Sequence, residues 1–101
     1  MIDITQFTGF QWDAGNDRKS VDKHKVSRAE AEQVFFNDPL MITADDHHSS
    51  HREQRLHVLG RTDQGRVLLV AFTLRDGERL LRVISVRDAN RRERARYVQS
   101  T

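Results

Sequence analysis

Apolar and polar positions change their period along this chain, and each change marks an element. Phe10-Gln11-Trp12-Asp13 alternates apolar and polar, as a short strand running into a helix cap would. Residues 14–24 then read as a first, mostly polar helix. The next helix is better marked, because Ser27 and Glu30 form a capping box. The Ser side chain accepts the amide proton of the third helical residue, and the Glu carboxylate reaches back to the cap. Ala31, Val34 and Phe35 follow at i, i+3 and i+4 and give this helix one buried stripe. Asn37-Asp38-Pro39 ends it, since Asn tolerates the left-handed cap and Pro disfavours helix in the residue before it.

Beyond Pro39 the period becomes strand-like, over 40–44, 54–61, 66–74 and 79–87. Asp63-Gln64-Gly65 and Asp76-Gly77 separate the last three runs and are hairpin signals, so an antiparallel meander is expected. The third run is apolar on both faces from Val67 to Phe72 and belongs in the sheet centre. Asp88 is expected to cap a terminal helix reaching about Val98, with Ala89, Glu93 and Tyr97 on one side. The expected fold class is α+β: an antiparallel sheet of about four strands plus a short N-terminal strand, two N-terminal helices and one C-terminal helix. The helices would pack on the sheet as a two-layer sandwich.

Composition sharpens this picture. One domain spanning residues 1–101 is expected, with a thin core, because only 37% of residues are hydrophobic while 32% are charged. The absence of cysteine excludes disulfides and thiolate metal sites and fits a reducing compartment. The longest apolar run, Val67 to Phe72, is too short to span a bilayer, and the N-terminus lacks the order of a signal peptide. A cytoplasmic protein without membrane contact is the expectation.

The formal net charge of +2 hides an asymmetry. Residues 1–50 carry five basic and nine acidic side chains, whereas residues 51–101 carry twelve and six. All twelve basic residues of the second half are Arg, whose planar fork matches phosphate oxygens in pairs. Phosphate is therefore a natural ligand for that half, although a charged skin over a thin core would use the same residues.

Several residues are candidates for chemistry. His47, His48 and His51 share a loop with Asp45 and Asp46, but nothing there fixes ligand geometry, so no metal is assigned. His24 closes the first helix beside Lys23, as a dipole-satisfying cap or a proton-transfer group. His57 lies with Arg55 and Arg61 on the polar side of a strand whose other side carries Leu56 and Val58. Nearby Glu53 can anchor Arg55 or act as a base. Thr73-x-Arg75 and Ser85-x-Arg87 each place a small hydroxyl residue on the same face as an Arg, leaving room for a ligand. Whether Arg75 and Arg87 share a face depends on the intervening loop, because a one-residue slip flips every side chain. Arg91, Arg92, Arg94 and Arg96 crowd the last helix, as a solvated face, a phosphate track or an interface for an acidic partner.

Taken in order, these pieces resemble the BrnT toxin family over residues 10 to 98: Phe10-x-Trp12-Asp13, Lys23-His24-x-Val26-Ser27, Glu30-Ala31, Val34-Phe35, Asp38-Pro39, Glu53-x-Arg55, Gly60, Thr73-x-Arg75, Ile84-Ser85-x-Arg87-x-Ala89, Glu93-Arg94 and Tyr97. Two positions depart from the pattern, Lys25 for a usual Gly and Val86 for a small Ala. The resemblance implies a RelE-like fold and an endoribonuclease toxin acting without metal or other cofactor. It also implies neutralisation by a BrnA-type antitoxin with a ribbon-helix-helix domain, in a hetero-oligomer that represses its own operon.

Cleaving RNA without metal needs a base for the 2′-hydroxyl, cations for the charge building on phosphate, and an acid for the leaving 5′-oxygen. Arg can supply only the cations, since it does not lose its proton. Arg75 and Arg87 are the expected phosphate clamp, His24 and Glu53 the expected acid and base, and Tyr97 a reserve acid or a staple for the last helix. Lys23, Arg55, Arg61 and Arg82 are expected to position the RNA backbone. The rivals are a nucleic-acid binder without catalysis and a protein-interaction subunit.

Overall fold

The structure, a computed structural model, describes residues 8–12, 26–37, 39–45, 54–75 and 79–99, with the backbone alone described at positions 45 and 75. Strands β1 (Gly9–Trp12), β2 (Met41–Asp45), β3 (Arg55–Arg61), β4 (Val67–Arg75) and β5 (Leu80–Asp88) form one sheet in the order β1-β5-β4-β3-β2. Two helices are present among the described residues, α1 (Arg28–Gln33) and α2 (Arg91–Gln99). The helix expected over 14–24 lies outside the described residues.

β2 to β5 make the expected antiparallel meander, with doubly apolar β4 in the middle. The expectation of an antiparallel sheet is corrected at one edge. β1 pairs parallel to β5, with Phe10 opposite Leu81 and Trp12 opposite Val83, so the sheet is mixed. A parallel partner needs a long crossover, and hairpin signals between neighbouring strands carry no information about it.

Strand alternation sorts the core. Leu56, Val58, Leu68, Val70, Phe72, Leu81, Val83 and Val86 meet Val26, Ala31, Val34 and Phe35 on one face of the sheet. Phe35 packs edge-on against Phe72 with ring centroids 5.2 Å apart, and Phe10 tilts onto Phe35 at 5.6 Å. Each fully buried side chain of this size contributes at most about 1.5–3 kcal/mol. The second cluster, Leu59, Ala89 and Tyr97 with Met41, Val67 and Leu69, uses the alternate strand positions and thus the opposite face. The two helices therefore cover opposite faces, and the two-layer expectation is corrected: α1 and α2 bracket the sheet.

Local chemistry explains the element ends. The Ser27–Glu30 capping box starts α1, with Glu30 N donating to Ser27 Oγ at 3.1 Å. After Gln33 the chain tightens into i→i−3 turns through Phe36, so Val34 and Phe35 reach the core from the turn rather than from the helix. The β3–β4 connection is closed by Thr62 N donating to Arg66 O at 2.8 Å, while the Thr62 hydroxyl accepts from Gln64 N and Arg66 N. Gly65 sits at φ +86°, the left-handed conformation this three-residue hairpin requires.

The start of α2 corrects a second expectation. Asp88 is the last residue of β5, paired with Arg66 (Nε–Oδ1 2.6 Å), and does not cap the helix. Asn90 does: its Oδ1 accepts from Glu93 N at 2.8 Å, and Glu93 Oε1 accepts from Asn90 N at 2.9 Å. Arg66 also reaches Glu30 at 3.3 Å, tying β4 to both α1 and β5.

Candidate nucleic-acid interface

The sheet face that α2 only partly covers collects the polar strand positions. Cross-strand pairing sets Arg55 opposite Thr73 and Thr73 opposite Arg82, with Gln11 of β1 beside Arg82. Arg55 and Arg82 thus lie two strands apart in one row, about 10 Å between their backbones. Both are half-buried. The next row runs Thr43, His57, Ala71 and Ser85; the small side chains at 43, 71 and 85 flank the half-buried imidazole, and Thr43 and Ser85 are exposed. The room expected around Thr73 is absent: it is buried, and its hydroxyl donates to Gln54 O at 2.9 Å. Ser85 is exposed, as a ligand-facing residue would be.

Register settles the question that sequence left open about Arg75 and Arg87. A β-bulge between Ala71 and Phe72 of β4 and Val83 and Ser85 of β5 leaves Ile84 as the extra residue. It resets the alternation, so Arg87 (opposite Leu69) and position 75 fall on the same face. They are at opposite ends of it, since Leu69 and Arg75 are separated by six residues of β4, or about 20 Å. Backbone positions so far apart suit separate phosphates, several nucleotides apart on an extended strand, better than one shared phosphate.

At the Arg87 end the chemistry is concentrated. Arg87 Nη1 and Nη2 donate to Glu93 Oε1 and Oε2 at 2.8 and 3.0 Å, and Nη1 also donates to Asp88 O at 3.1 Å. This fork lowers the Glu93 carboxyl below its ordinary range; the Asn90 amide and the positive charge of His57 act in the same direction, against partial desolvation. The Arg87 guanidinium is raised correspondingly. Glu93 then faces a recess of about 80 Å³ lined by His57, Thr43 and Arg96 over an apolar floor of Met41, Leu59 and Leu69. Ligand pockets for whole small molecules are several times larger, so this recess fits a phosphoryl-sized or hydroxyl group.

Other expected residues fall elsewhere. The Tyr97 ring is 4% exposed and its hydroxyl donates to Pro39 O at 2.9 Å, which is the staple role rather than the acid. Arg61 is exposed at the far end of β3, and Asn37 Nδ2 donates to its carbonyl. Arg91, Arg92, Arg94 and Arg96 are exposed on α2. Lys23, His24, Lys25 and Glu53 lie outside the described residues, as do His47, His48 and His51. Among the described residues no cluster of three His, Asp or Glu could hold a metal ion, and no helix is long and apolar enough to cross a membrane. Glu93 was missed as a candidate site residue. Asn90-x-x-Glu93 is legible as a capping box, but Asp88 competes with it in the sequence.

The model of the family described as ribonuclease toxin, BrnT, of type II toxin-antitoxin systems matches residues 12–93. The chain belongs to the BrnT family. A crystal structure of the Brucella abortus ribonuclease toxin BrnT has the same fold, with a TM-score of 0.58 over 83% of this chain and 99% of that one, at 21% identity. No curated protein matches. Membership makes this a toxin-family chain for which an antitoxin partner is implied. Among the departures from the BrnT pattern, Val86 is accommodated in the main core at 1% exposure.

Proposed function

We propose that this chain is the toxin of a type II toxin–antitoxin pair, a metal-independent endoribonuclease that stops translation by cutting RNA in the cytoplasm. The observation that carries this is the open sheet face, where Arg55 and Arg82 flank one row and Arg87, His57 and Arg96 gather beyond it. An RNA strand laid across these rows meets cations at phosphate spacing and a titratable ring beside a recess. The chain's own side chains would supply both charge stabilisation and proton transfer. Arg87 contacts the attacked phosphate through its remaining donors while Glu93 holds the fork in place. Arg75, at the far end of the face, takes a separate phosphate further along the strand, and Arg55, Arg61, Arg82 and Lys23 hold the backbone. His24 and Glu53 are candidates for the acid and base.

A BrnA-type ribbon-helix-helix antitoxin neutralises the toxin, and the hetero-oligomer represses its own operon. The test is incubation of antitoxin-free protein with bulk RNA in EDTA, beside Arg87→Ala. Cleavage leaving cyclic phosphate ends, lost in the variant, supports the proposal. Salt-dependent binding without product, in EDTA and with Mg²⁺ or ribosomes, replaces it by a non-catalytic nucleic-acid binder.

A further inference from the structure

His57 stands in the middle of β3, in the row Thr43–His57–Ala71–Ser85, where the neighbours on the next two strands are too small to cover it. It forms one wall of the recess between the sheet and α2, across from Glu93 and Arg96. Glu93 is itself fixed at both oxygens by Arg87, so the carboxylate cannot leave that wall without breaking the fork and the α2 cap. The outcome is a titratable ring that shares a recess with a carboxylate, and that carboxylate is the one held by Arg87. Strand pairing on both sides fixes the backbone from which the ring projects.

On the ribonuclease reading above, we infer that His57 is the general acid that protonates the leaving 5′-oxygen of the RNA. The 2′-oxygen loses its proton to the base and bonds to phosphorus as the P–O5′ bond breaks. The 5′-oxygen takes a proton from His57, giving a 2′,3′-cyclic phosphate and a 5′-hydroxyl, and no electrons are exchanged with any other group.

The test uses the full chain and a short RNA cleaved by the wild type at a mapped position, beside a twin whose bridging 5′-oxygen at that position is sulfur. A thiolate leaves without a proton, so it bypasses the acid. His57→Ala is expected to slow the oxygen substrate about 10²–10⁴-fold and the sulfur substrate less than about tenfold. Arg87→Ala is expected to slow both. His57→Gln, which keeps most of the ring's volume, replaces the alanine variant if that one does not fold. Wild-type rates in the His57 variants, or equal losses on both substrates, overturn the assignment while leaving the ribonuclease reading intact. A wild-type protein that cleaves no RNA overturns both.

Discussion

Arg87 and Glu93 meet edge to edge between the end of β5 and the first turn of α2, two parallel hydrogen bonds of 2.8 and 3.0 Å. The Glu93 side chain is 17% exposed and that of Arg87 39%, so the pair sits at the rim of the protein, with the carboxylate the better shielded partner. The same carboxylate caps α2 through Asn90 N. One acidic residue thus orients Arg87, the proposed phosphate-binding cation, and starts the last helix.

Because the Glu93 carboxyl titrates below its ordinary value of 4.5, its contribution to stability is fully present above that pH. It is lost as pH falls through the lowered folded value. Urea unfolding of wild type and Glu93→Gln should therefore differ at neutral pH, by about 1–2 kcal/mol for the lost charged hydrogen bonds, and converge as pH falls through the lowered folded value. A constant difference across that range would mean that the charge is not what the fork uses.

Arg87→Ala should lower the rate of RNA cleavage about 10²–10³-fold. Arg75→Ala should also lower it, and the two losses should add in free energy, because the positions are about 20 Å apart and share no partner phosphate. Single-turnover rates of the double variant check this; strong non-additivity would restore the single clamp that the register argues against.

Arg55→Ala and Arg82→Ala should weaken RNA binding and flatten its salt dependence, each by about 0.7 in the slope of log K against log salt for one lost phosphate contact. Titration of a non-cleavable RNA at several salt concentrations measures it. A loss of affinity with an unchanged slope would place both arginines away from phosphate.

Tyr97→Phe removes the bond to Pro39 O and should cost about 0.5–1.5 kcal/mol in stability while leaving the cleavage rate within a factor of two. A rate lowered by orders of magnitude at unchanged stability would return Tyr97 to the acid role.

Gly60→Ala should be among the more disruptive single-methyl changes in the chain. A Cβ there would stand 2.5 Å from Val34 Cγ1 and 3.1 Å from both Leu40 Cδ2 and Val34 O, so the turn after α1 would have to shift. Overpacking of this kind costs about 1–3 kcal/mol, read directly as a lower unfolding midpoint.

What the sequence determined by itself is what local chemistry controls. The Ser27–Glu30 cap, the hairpin at Asp63-Gln64-Gly65, the central place of the doubly apolar β4, and the polar side of β3 carrying Arg55 and His57 all follow from spacing and turn residues. Proximity in three dimensions was not legible in the same way. The parallel pairing of β1 with β5 joins segments some seventy residues apart through a crossover with no hairpin signal. One extra residue, Ile84, decides which face Ser85 and Arg87 occupy, and no propensity announces where a strand bulges. Glu93 became a site residue only because Asn90 rather than Asp88 starts α2, which turns its carboxylate onto Arg87 and towards His57. Local patterns specify elements and their faces; register and packing, set by contacts distant in sequence, decide which charges meet.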